Sequence, residues 1–237
     1  MNRAGIDDAS AWAAFWSVSP DSKCVQVEAR DFIERLSVAV PLDGSEIVLD
    51  FGCGFGHVAR ELAPSVQRID VWDASPLALA AARRQVAGLS SARVDLTDPS
   101  ADPTGEYDLV LVNSVVQYLT VPDLSTWLSR WRAMLRPAGR IVIADVPCGA
   151  TSTPRETLGW IVFCARRHVL RSALAHGASS ARRYRTASQQ APLLQLEWAD
   201  LDRMAHAAGL ALRPLPANLS HRPRRLSMVL VRADEPR

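Results

Sequence analysis

The chain has 237 residues, 48% apolar and 22% charged, with a net charge of +2, which suits one domain with additions that buries its apolar surface without metal or disulfide support. The near-neutral balance excludes nucleic acid and membranes as default partners. The cysteines, Cys24, Cys53, Cys148 and Cys164, make no C-x-x-C pair and have no His at ligand spacing, which argues against a zinc site and a disulfide framework.

Lys23 is the only lysine, so the cations are almost all Arg, a bias that fits a GC-rich bacterial genome. Asp7 and Asp8 stand where a secretion signal would have a basic start, and no apolar stretch is long enough to span a bilayer. The expectation is a cytoplasmic protein.

In chain order, residues about 8–39 read as two helices. Trp12, Phe15 and Trp16 share one face, and Val25, Phe32, Ile33 and Leu36 form a second stripe. Pro41-Leu42-Asp43-Gly44 turns the chain into a first strand, Ile47–Phe51. Ile69–Asp73 predicts a second strand, and Pro76–Val86 an alanine-rich helix begun by Ser75 and Pro76. A short strand ends near Asp95. Tyr107–Asn113 is the clearest buried strand. Leu124–Leu135 reads as an amphipathic helix stopped by Pro137 and Gly139, before another strand at Ile141–Val146. This βαβα order implies a parallel sheet covered on both faces. Residues 148–190 show no strand. A helix from about Glu197 to Ala208 follows, then two closing strands, Leu210–Leu215 and Leu226–Val231, joined by a long proline-rich loop as a hairpin.

The most informative segment is Asp50-Phe51-Gly52-Cys53-Gly54-Phe55-Gly56, where an acid closes an apolar run and glycines alternate. Glycine allows a sharp turn and lets a ligand approach bare backbone. A dinucleotide fingerprint wants its third small residue one place later, where His57 stands. The Asp-x-Gly-x-Gly-x-Gly form resembles motif I of the class I S-adenosylmethionine-dependent methyltransferases. That resemblance implies an α/β fold with a Rossmann-like seven-stranded sheet, mostly parallel with an antiparallel last strand, and helices on both faces. It covers residues 45–146 well and implies S-adenosyl-L-methionine as cofactor.

Residue by residue, the resemblance places Asp50, Gly52, Cys53, Gly54 and Gly56 at the cofactor turn. Asp73 and Ala74, in a segment like the family's D-x-S before a helix, would bind the ribose. Asp95 and Leu96 would meet the adenine. Asn113-Ser114-Val115-Val116-Gln117-Tyr118 resembles the loop after strand 4 in bacterial small-metabolite and glycan enzymes, and in the N-methylating domains of peptide synthetases. There Asn113 would border the cofactor, and Gln117 and Tyr118 would orient an acceptor. Many members have a His near Gln117, and Gln117 cannot serve as a base. His221 and His168 are the base candidates, with His221 first.

The family pattern divides the chain into a helical cap (1–40), a cofactor core (41–147), a helical insertion over the acceptor mouth (148–190) and a closing helix and strand pair (191–237). The insertion carries Arg155, Arg166, Arg167, His168, Arg171, Arg182, Arg183 and Arg185 against Glu156. Three readings stand: an anionic or carrier-linked small-molecule acceptor, an anionic membrane surface met by Leu158, Trp160, Ile161 and Phe163, and a solvated helix face. The expected activity is methyl transfer to O or N of a small metabolite, natural product or sugar. The alternatives are an NAD-dependent oxidoreductase and an inactive methyltransferase-like binding protein. Nucleic acid is not an expected partner, and a homodimer stays open.

Overall fold

The computed structural model describes residues 23–93, 103–147, 153–174, 186, 193–222 and 225–234. Its helices are α1 (Lys23–Ala39), α2 (His57–Leu62), α3 (Pro76–Val86), α4 (Val121–Ala133), α5 (Thr153–Arg166) and α6 (Trp198–Ala207). Its strands are β1 (Ile47–Phe51), β2 (Arg68–Trp72), β3 (Ala92–Arg93), β4 (Tyr107–Asn113), β5 (Leu135–Pro147), β6 (Leu210–Pro214) and β7 (Arg225–Arg232). They form one seven-stranded sheet in the order β3-β2-β1-β4-β5-β7-β6. All pairs are parallel except those of β7, which runs antiparallel to both β5 and β6. The expected closing hairpin is present, with its register running from Leu210↔Arg232 to Pro214↔Met228.

The strands are apolar on both faces, and alternate residues go to different cores. Leu49, Phe51, Val110, Val112, Ile141 and Ile143 pack with α4 and α6 through Leu124, Leu128, Trp131 and Leu201. Val48, Ile69, Leu109, Leu111, Val142 and Ala144 pack with α1, α2 and α3 through Phe32, Leu36, Leu62 and Leu79. A third, smaller cluster joins α1 to α5 and the segment after it through Cys24, Phe163, Cys164 and Ala173. In it the sulfurs of Cys24 and Cys164 lie 3.3 Å apart.

Local chemistry explains the boundaries. Ser75 caps α3, its Oγ accepting from the Ala78 N–H at 3.3 Å, with Pro76 at the first helical position. Thr120 caps α4 in the same way, accepting from Asp123 N–H, so α4 begins earlier than the apolar stripe suggested. The proline and glycine read as a helix stop lie inside β5 instead. Leu135 already pairs with Tyr107, and the register shifts before Leu109 pairs with Arg140. Pro137 and Ala138 sit exposed on that irregular stretch, where a missing N–H costs little. Gly139 is required because an added Cβ would lie 2.9 Å from both the Arg136 and Tyr107 carbonyl oxygens.

Candidate functional site

The glycine turn leaves the C-terminal end of β1, between β2 and β4. In an open α/β sheet, the carboxyl ends of the strands where connections diverge form a crevice for ligands. The turn is pinned to β2: the N–H groups of Gly52 and Cys53 donate to the Trp72 carbonyl at 2.7 and 3.0 Å. Asp73, the next residue, accepts from the Gly54 N–H at 2.9 Å and from the Ser75 N–H at 2.8 Å. One carboxylate thus ties the turn to the start of α3, and its oxygens keep further lone pairs for hydroxyl donors.

The three glycines serve different needs. A Cβ on Gly52 would come within 2.4 Å of Val115 Cγ2, and one on Gly56 within 2.9 Å of Ala82 Cα. A Cβ on Gly54 would meet nothing within 4 Å. Gly54 therefore offers open backbone to the crevice, whereas its neighbours are glycine because protein packs against them. Cys53 is buried, its thiol pushed well up by burial and then by Asp50 and Asp73. His57 is also buried, its Nδ1 lying 3.3 Å from Gln85 Nε2 at the start of α2.

Asp50 is the strongest electrostatic feature. It is 2% exposed, and its Oδ2 has no hydrogen-bond partner among the described residues. Burial, with the negative charge of Asp73, pushes its carboxyl up to about 7. Burial also raises Asp73, against the pull of its two backbone N–H donors. A buried acid and a half-buried one around bare backbone fit a ligand with positive charge and vicinal hydroxyls. An orphaned carboxylate oxygen and an open glycine wall are what S-adenosylmethionine, with its sulfonium, ammonium and ribose, would satisfy.

Ala74 is exposed beside Asp73, and Asn113 is half-buried at the end of β4. Asp95 and Leu96 lie outside the described residues. Gln117 is buried in the 3-10 turn Val116–Tyr118, its backbone carbonyl accepting from Leu194 N–H at 2.9 Å, while Tyr118 is half-buried. His221 is brought to a different wall. Its ring stacks on Phe163 of α5 at 4.2 Å, and its Nε2 lies 3.8 Å from Glu28 Oε1 on α1. Burial, then Arg222, lowers it to about 4, so it is uncharged at neutral pH. His168 is exposed in the turn after α5.

Three residues of this wall escaped the sequence reading. Glu28 accepts from the Trp160 indole N–H at 2.8 Å. Asp145 accepts from Ser114 Oγ at 2.5 Å and lies 4.0 Å from Arg222 Nη1 and 3.9 Å from Arg225 Nε. Ser114 and Asp145 both have left-handed backbone, φ 59° and 58°, rare for such residues. An acid inside the apolar run Ile141–Val146 was a usable signal for Asp145. Glu28 gave none, since an acid on an amphipathic helix looks like a solvated one.

The insertion differs in part from its reading. Arg167 does not face a ligand: it pairs with Asp31 and Glu34 of α1. Trp160 turns inward to Glu28 and Phe163 is buried, so the apolar side proposed for a membrane is largely spent on packing. Leu158 and Val162 do stay exposed, at 61% and 40%. Arg182, Arg183 and Arg185 lie outside the described residues, as does the Arg155 side chain. No helix among the described residues is long and apolar enough to cross a membrane.

Residues 49–141 match a family model described as a methyltransferase domain. The chain is 35% identical over 128 residues to trans-aconitate 2-methyltransferase of Mycobacterium tuberculosis, covering 53% of this chain and 45% of that one. It is 33% identical over 125 residues to mouse N-terminal Xaa-Pro-Lys N-methyltransferase 1, covering 49% and 55%. The chain spans about half the length of the curated relatives it matches. Among solved structures, magnesium protoporphyrin IX methyltransferase from Synechocystis with bound SAH is similar in fold at a TM-score of 0.56 and 15% identity, covering 94% of this chain and 93% of that one. The mitomycin 7-O-methyltransferase structure is similar at a TM-score of 0.61 and 13% identity, covering 88% and 54%.

Proposed function

We propose, for a chain whose residues 49–141 match a methyltransferase-domain family model, that it transfers the methyl group of S-adenosylmethionine to an oxygen or nitrogen of a small metabolite, natural product or sugar. The observation that carries the reading is Asp73 clamping Gly54 beside the partnerless Oδ2 of Asp50. Asp73, with Ala74 beside it, would hold the ribose hydroxyls, and Gly54 would present bare backbone. Asp50 would balance the positive groups, with Asn113 closing the crevice from β4. When bound, the cofactor supplies a methyl group on a positively charged sulfur. The protein's part is to align the acceptor and exclude water.

The relatives' names support a small acceptor only in part. One names trans-aconitate and the other a protein N-terminus, while both matches are partial. Acceptor choice therefore belongs to what surrounds the shared core: α1, α5 and the loop that carries His221.

Calorimetry with S-adenosylmethionine, S-adenosylhomocysteine and NAD tests the reading. Uptake of the first two is expected, and Asp73→Ala and Gly54→Val should each weaken it about tenfold or more, with melting curves confirming that both variants fold. NAD uptake in their place would return the chain to oxidoreductase chemistry.

A further inference from the structure

We propose that Glu28 accepts the proton released when an uncharged hydroxyl or amine is methylated at this site. The inference rests on the methyl-transfer reading above and names the acceptor's chemical class. Placement comes first. Val115 touches the glycine turn at Gly52. Its neighbour Ser114 donates to Asp145. Asp145 faces Arg222 at 4.0 Å, and His221, the residue before Arg222, lies 3.8 Å from Glu28 Oε1 through its Nε2. The ends of β4 and β5 thus carry a run of contacts, apolar at Val115 and polar from Ser114 onward, from the glycine turn to the wall that holds Glu28.

Orientation comes second. Glu28 Oε1 is held by the Trp160 indole at 2.8 Å and by the Cys24 thiol at 3.8 Å, with His221 Nε2 also at 3.8 Å. These three contacts are all on Oε1, and the side chain keeps 25% exposure. The indole therefore fixes one oxygen and leaves the other for a ligand. Burial raises the proton affinity of this carboxyl, which makes it a stronger base than an exposed glutamate.

The other titratable groups facing this wall are less suited. His221 is stacked on Phe163 and holds protons weakly. Asp145 is 5% exposed and engaged by Ser114 and two arginines. The Cys24 and Cys164 thiols lie against each other, with their ionisation suppressed by burial. On the next turns of α1, Asp31 is taken by Arg35 and Arg167. Charge then selects the acceptor. Among the described residues, Glu28 and Asp145 balance Arg222 and Arg225, so these groups give a carboxylate acceptor no surplus positive charge. Methylating a carboxylate also frees no proton, and a base would be idle. With a hydroxyl or amine, the acceptor's lone pair forms the bond to the methyl carbon as the carbon–sulfur bond breaks. That bonding pair stays on sulfur, and the acceptor's proton passes to Glu28 Oε2.

Two readouts test this. In the ligand-free protein, tryptophan fluorescence of the wild type should show a pH transition above the ordinary glutamate range, absent from Glu28→Gln and from Trp160→Phe. With methyl-labelled S-adenosylmethionine, a panel pairing phenols, alcohols and amines with matched carboxylic acids should yield ethers or methylamines. Glu28→Gln should then lower kcat about a hundredfold, with KM and calorimetric cofactor affinity nearly unchanged and the acid limb of the pH–rate profile gone. Glu28→Asp should recover part of the rate. A methyl ester product, an unchanged kcat, a missing fluorescence transition, or no transfer to any panel member by cofactor-bound wild type would each overturn the proposal. Failure of the wild type to bind S-adenosylmethionine would instead remove the methyl-transfer reading beneath it.

Discussion

Asp50, one residue before the end of β1, has its carboxylate sealed from water beside the charge of another acid, Asp73. Its proton affinity is raised from 3.8 to about 7, so the folded chain binds that proton more tightly than the unfolded chain does. The sign follows from linkage: the penalty is absent below about pH 4, grows as pH rises, and is complete above about pH 7. Asp50→Asn should therefore stabilise the ligand-free protein by about 1–2 kcal/mol at pH 8 and by little at pH 4, measured by urea titration at both values. The same substitution should damage binding. Wild-type affinity for the cationic cofactor should climb between about pH 6 and 8, as Asp50 ionises, whereas the variant should be weak and flat. A variant that binds well at every pH would show that Asp50 does not face the positive groups. The order Asp50, Gly54, Asp73 was visible in the chain because it is a local spacing. That Asp73 would reach back to the Gly54 N–H was not, since it depends on β2 lying beside β1.

The glycine turn shows at the scale of elements how a loop and a neighbouring strand end specify each other. Gly52 has φ 72°, and the space a side chain would fill belongs to Val115, just beyond β4. Gly52→Ala should cost about 2–4 kcal/mol, combining backbone strain with overlap. Adding Val115→Ala should recover only the overlap portion, leaving about 1 kcal/mol or more from the strain. Thermal melts of the single and double variants would separate the two. Full recovery in the double variant would mean that backbone conformation contributes nothing. The regular elements were legible because apolar spacing and caps are written locally: Tyr107–Asn113 and Pro76–Val86 coincide with β4 and α3. The Pro137–Gly139 stretch was misread because such residues end a helix and also decorate an irregular strand. Which of the two occurs here was decided by Leu135 finding Tyr107 across the sheet.

Across the whole molecule, two large cores sandwich the sheet, while α5 is attached through a third, much smaller cluster. A helix held by few buried side chains and by the half-exposed Arg167 ion pairs should open more readily than the central strands. Amide exchange should be faster in α5 than in β1, β4 and β5, and Arg167→Ala should accelerate it further while leaving the strands unchanged. Equal protection of α5 and the strands would make α5 an integral part of the cores. The arrangement sets the glycine turn on the large cores and α5 on the small one.

By itself the sequence determined the alternation of buried strands and covering helices, the glycine turn, and the acids at the ends of β1 and β2. Each of these is dictated by neighbours a few residues away. The tertiary structure alone decided that Glu28, Trp160, His221, Asp145 and Ser114 share one wall, and that Arg167 clamps helices rather than greeting a ligand. Those groups are brought together from up to 193 residues apart (28 to 221), and a side chain's charge, exposure and partners there depend on which elements pack against it. Local pattern carries no record of that choice.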